Sequence, residues 1–113
     1  MKIRKPWVFT SRINKLEERI GKISEEVEYH FIDLARNAKE YPNQYLYARF
    51  SDLHNSLWSC FDIRDELASC YLFNFQFSYP ECEAIYSRAN LAREYIRKEL
   101  NSRRRRKFSS IKS

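Results

Sequence analysis

The amino-acid sequence predicts an all-α protein, a three-helix up-down-up bundle of long helices with basic, mobile tails. Three observations predict it. A single Gly and three Pro in 113 residues leave little from which to build tight turns, while abundant Glu, Lys, Arg and Leu favour helix. Apolar residues recur at alternating steps of three and four along three long stretches. Pro42 and Pro80 stand between those stretches, where a helix must end or begin. A chain of this length buries one modest core, so the expectation is a single bundle over 11–102, flanked by a basic and aromatic arm at 1–10 and a basic tail at 103–113.

The first helix is expected from about Ser11 to Ala38. Its seam is Ile13, Leu16, Ile20, Ile23, Val27 and Leu34, with His30 in the one non-apolar slot and Phe31 beside it. Charged residues such as Glu18 and Lys22 occupy the other faces, and that pair has the favourable i,i+4 orientation. Pro42 ends the helix because it lacks an amide donor and pushes Tyr41 out of the α region.

The second helix is expected from near Pro42, with Leu46, Phe50, Leu53, Leu57, Cys60, Leu67 and Tyr71 as its seam and Arg64 as the mismatch. A second row, Tyr47, His54, Phe61, Ala68 and Phe75, runs alongside. A face that wide predicts a central helix that touches both neighbours. The segment from Tyr71 to Tyr79 is expected to be the end of this helix and an aromatic connector, although its alternation also suits a short strand. Ser78 and Glu81 have capping-box spacing and Pro80 suits a first turn, so a third helix begins there. Its seam, Cys82, Ile85, Ala89, Ala92, Ile96 and Leu100, is small in the middle and invites close approach by the aromatics of the second helix. Beyond Asn101 no apolar period remains, and a mobile extension or fraying helix end is expected.

Charge is distributed unevenly. Of the net +6, residues 1–12 contribute four positive charges and 101–113 contribute six, with no acid in either segment, which leaves the body between them at net −4. The run Arg103, Arg104, Arg105, Arg106 and Lys107 contains no acid to neutralise it, and such a run attracts phosphate through charge-assisted bonds and counterion release. Lys2, Arg4 and Lys5 lie beside Trp7 and Phe9, a combination suited to stacking on unpaired bases. Phosphate neutralisation by these tails, rather than base readout, is the expected mode. Cutting the chain after Ser102 is expected to leave the helices intact and to weaken polynucleotide binding.

Aromatic residues make up 16% of the chain, more than three helices readily enclose. Trp58, Phe73, Phe75 and Phe77 are therefore candidates for a protein interface or for self-association. Cys60, Cys70 and Cys82 are odd in number and lack metal-ligand spacing, so they read as reduced, packed thiols. Asp62, Asp65 and Glu66 read as a solvated face, since no matching His or ExxH motif accompanies them. Neither a phosphate-binding Gly loop nor a nucleophile elbow occurs, so no catalytic residue, metal or cofactor is expected.

Arg49 and His54 form an RxxxxH that resembles the Arg and His pair of HEPN-type ribonucleases. In so Arg-rich a chain that spacing arises readily by chance, and His54 falls in the aromatic row. Packing or partner contact is its preferred reading. No segment has a signal-peptide core or a membrane-length apolar run, so a cytoplasmic protein with no membrane partner is expected. The preferred function is a non-enzymatic accessory protein that binds nucleic acid or a nucleoprotein complex. The alternatives are an inhibitor or adaptor acting on a protein through acidic faces and aromatics, and a HEPN-like ribonuclease.

Overall fold

In a computed structural model, which describes residues 10–70 and 80–112 with the last five by backbone alone, three helices pack side by side. They are α1 (Thr10–Asn37), α2 (Asn43–Cys70) and α3 (Pro80–Lys112), with one 3-10 turn, Ala38–Glu40, after α1. Arg12 at the start of α1 meets Glu66 near the end of α2 at 3.4 Å, and Arg103 of α3 meets Asn43 at the start of α2. The topology is therefore up-down-up, and the rod measures 68 × 22 × 20 Å.

The periodicity of α1 survives almost unchanged, with Ile13, Leu16, Ile20, Val27, His30 and Leu34 buried and Ile23 and Phe31 packed against the core. In α3, Cys82, Ile85, Ala89, Ala92 and Ile96 are buried and Leu100 is half-buried. The α2 seam differs in two places. Ile63 takes the position expected for Arg64, and Cys70 is buried, because after Cys60 the chain steps by three before it steps by four. Of the second row, Tyr47 and His54 are exposed and Phe61 is half-buried, so α2 presents a narrower face to the core than expected. The centre belongs instead to α3, whose small residues let it approach both neighbours closely; its contact with α1 is the most extensive of the bundle.

His30 is the one polar residue in the α1 seam, 8% exposed. Its Nδ1 is buried without a hydrogen-bond partner, and its Nε2 lies 3.8 Å from Glu26. An unpaired buried polar atom costs about 1–3 kcal/mol. Changing His30→Leu is expected to raise stability by about 1–2 kcal/mol on the same grounds, as a higher midpoint in urea melts with an unchanged slope.

The turn between α1 and α2 is held by polar contacts. Tyr41 has extended backbone, φ −89° and ψ 144°, as the residue before a proline should. Its hydroxyl donates to the Asp33 carboxylate at 2.7 and 2.8 Å, Asn37 donates to the same group at 3.0 Å, and the Tyr41 ring stacks on Tyr45. The bond to Asp33, with some burial, pushes the Tyr41 phenol well above its ordinary 10.0. A raised folded-state value means the contact contributes fully below pH 10 and is lost only as pH climbs through that raised value. Absorbance titration of phenolate is expected to show a tyrosine that ionises well above pH 10, and Tyr41→Phe is expected to remove it.

The basic run does not begin after the bundle ends. The helix continues through it to Lys112, where an extension past Asn101 was expected. A tertiary contact supports the start of this continuation, because Arg103 is fastened to the α1–α2 turn. Residues 1–9 of the N-terminal arm and the segment from Tyr71 to Tyr79, with Phe73, Phe75, Phe77 and the expected capping residue Ser78, lie outside the described residues. No described helix is long and apolar enough to cross a membrane.

Candidate nucleic-acid interface

Arg103 is the most constrained cation of the run. Its Nε donates to Glu99 Oε1 at 3.0 Å, and one terminal nitrogen donates to Asn43 Oδ1 at 2.6 Å. The other donates to the carbonyls of Ala38 and Lys39, both at 3.3 Å, and of Tyr41 at 2.6 Å. These carbonyls lie where the first helix stops; that of Ala38 also accepts the Tyr41 N–H at 3.4 Å, and Arg103 serves those of Lys39 and Tyr41. The planar fork of a guanidinium reaches several of them at once, which an ammonium cannot do.

Glu99 is the partner that the tail's composition concealed. It is 7% exposed, and its carboxylate also takes Arg106 at 3.3 Å. The run is therefore partly neutralised from the preceding helical turn, contrary to the expectation that it has no local counter-charge. The signal was present in the sequence as the i,i+4 order of Glu99 before Arg103.

Beyond Arg103 the cations face solvent. Arg104, Arg105, Arg106 and Lys107 are exposed, and Arg104, Arg105 and Lys107 have no ion pair among the described residues. Consecutive residues on a helix turn by about 100°, so the four spread around the axis. The backbone runs about 13 Å beyond Arg103 at 1.5 Å per residue. It leaves the bundle at the end opposite to Thr10, about 40 Å away over the length of α1. Lys2, Arg4 and Lys5 lie outside the described residues.

Two further features adjoin the base of this extension. Arg97 and Arg104 line a shallow groove between α2 and α3 with Tyr47, Phe50, Leu100 and Asn101. One turn back, the Arg93 guanidinium sits over the Phe50 ring, 4.8 Å from its centre. Reading the basic run alone passed over Arg93 and Arg97, although 93, 97 and 104 fall within about 40° on a helical wheel.

Further along α2, Trp58 is 59% exposed. Its indole N–H donates to His54 Nε2 at 2.8 Å, and its ring meets Phe61 edge-on, with Phe61 in turn against Tyr86 of α3. His54 is thus occupied as an acceptor. Arg49 pairs with Asp52 at 2.6 Å and covers Tyr45 at 4.9 Å. Five residues apart, Arg49 and His54 point about 140° away from one another, and each is held by a different neighbour.

The three cysteines are buried as free thiols. Cys60 and Cys82 face across α2 and α3, each Sγ about 4 Å from the other's carbonyl oxygen, at 4.0 and 3.9 Å. Their mutual hydrogen bond lowers the Cys60 thiol, with help from Arg64 and against burial, and raises the Cys82 thiol, which burial raises further. Asp65 pairs with Arg64 at 3.6 Å and Glu66 with Arg12. No cluster of three metal-ligating side chains occurs among the described residues. Comparison with known proteins adds nothing to this geometry: no family model, no curated protein and no solved structure matches the chain.

Proposed function

We propose that this protein is a non-enzymatic helical accessory protein that binds nucleic acid, or a nucleoprotein complex, through the cationic extension of α3. The observation that supports it is the division of labour within one run of five cations. Arg103 is spent on the fold, while Arg104, Arg105, Arg106 and Lys107 are displayed on a helix that projects past the bundle. Exposed cations on a projecting helix, of which only Arg106 shares a carboxylate, suit phosphate neutralisation without base readout. Lys2, Arg4 and Lys5 are proposed to add contacts from the arm.

The test is a salt titration of polynucleotide binding by the full chain and by a variant with Arg104, Arg105, Arg106 and Lys107 changed to Gln. Equal affinity and equal salt dependence in the two proteins sinks this reading. A second reading, docking of a protein partner, is favoured by the exposure of Trp58 beside Phe61 and Tyr86. A pull-down that resists nuclease and high salt, and is lost on Trp58→Ala, selects it.

A further inference from the structure

One aromatic row of α2 and one row of α3 arginines belong to the same face of the molecule. On α2, Tyr47, His54 and Trp58 fall within about 40° of one another, and Tyr47 and Trp58 are 53% and 59% exposed. On α3, Arg93, Arg97 and Arg104 form a stripe of similar width. The two stripes run side by side, joined where Arg93 covers Phe50 and where Tyr47 and Phe50 share a groove with Arg97 and Arg104. Arg104 is also the first cation of the projecting helix, so the strip leads directly into it.

Resting on the function proposed above, we infer that this strip is a track for single-stranded nucleic acid, with bases stacked on Tyr47 and Trp58 and phosphates held by Arg97 and Arg104. Two exposed rings about 16 Å apart along α2, with Arg104 and Arg97, the latter shared with Glu94 at 3.2 Å, beside the Tyr47 end, are the combination that single-strand binders use. Every base has a π-face to stack and every linkage a charge to neutralise. A duplex keeps its bases stacked inside and offers these rings nothing. Trp58 is steadied by its bond to His54, which holds the ring in place before a base arrives. An acidic peptide without aromatic side chains would satisfy the arginines but has no flat group for either ring.

The test is fluorescence anisotropy with a labelled single strand and a duplex of equal length, using Tyr47→Ala, Tyr47→Phe, Trp58→Ala and the four-Gln variant of the extension. The expected result is preference for the single strand, a loss of about tenfold from each alanine variant, and retention by Tyr47→Phe. Trp58 emission, read in a Trp7→Phe background, is expected to be quenched by the strand. Equal binding of strand and duplex, or unchanged affinity in both alanine variants, overturns the track. If the four-Gln variant still loses affinity in that case, binding by the extension stands without it. If the intact chain binds neither probe at low salt, both readings fall. A nuclease-resistant protein partner lost on Trp58→Ala, with oligonucleotide affinity unchanged, assigns the rings to that partner instead.

Discussion

Replacing Arg103 by alanine is expected to destabilise the bundle by about 3 kcal/mol, the lower end of the cost of breaking a buried ion pair. The side chain is 23% exposed and its partner carboxylate on Glu99 only 8%, so the charge left behind is poorly solvated. Arg106 remains to meet it at 3.3 Å, which is why the lower end applies. The carbonyls of Lys39 and Tyr41 lose their donor as well, while that of Ala38 keeps the Tyr41 N–H. A domain of this size has only about 5–15 kcal/mol of stability to lose, and the melting temperature should fall by more than about 10 °C. Arg103→Lys should recover part of that loss, since one ammonium replaces the charge but not the fork. If Arg103→Ala melts with the wild type, the residue is a surface cation and the anchor described above is wrong.

Neutralising Arg104, Arg105, Arg106 and Lys107 is expected to do the reverse, leaving the fold in place and removing most polynucleotide affinity. Each phosphate contact contributes about 0.7 to the slope of log K against log salt on a single strand. Losing four should flatten that slope by about 3 and lower affinity by more than tenfold at low salt. Circular dichroism and melting should change little, because exposed positions without partners seldom shift stability by more than about 0.5 kcal/mol. Arg106 is the exception, being shared with Glu99, and Arg104, Arg105 and Lys107 alone make the cleaner set. The same logic moves the site of truncation. A cut after Ser102 removes the anchor along with the ligand-facing cations, so a chain ending at Arg103 is the one that separates folding from binding.

Most of the fold is legible in the spacing of apolar residues, because a buried seam must repeat along a helix. Where spacing alone is ambiguous, the reading drifts. From Cys60 the alternation permits 60, 64, 67 and 71 as readily as 60, 63, 67 and 70. Only the apolar character of Ile63 against Arg64 decides between them. The exposed row of Tyr47 and His54 looked like a second buried face for a related reason: an aromatic residue at helical spacing has the same pattern whether a neighbour covers it or not.

The candidate site was legible only in part. The charge of residues 103–107 is plain in the sequence, but the separate task of Arg103 depends on carbonyls more than sixty residues away in the chain. No local pattern announces such a meeting. Likewise Arg97 becomes notable only when the fold sets it beside Tyr47.

The fastening of Arg103 also fixes an angle. A helix emerging from a bundle can differ in the rotation at which it leaves, and that rotation decides which way every later side chain faces. Because one guanidinium is tied both to Glu99 on its own helix and to the turn of another, α3 leaves with its rotational phase set. Arg104 then falls on the α2 side, and the cations after it follow at steps of about 100°. The extension is thus a pointer with a defined heading, and the charge nearest the bundle is aimed before any partner arrives.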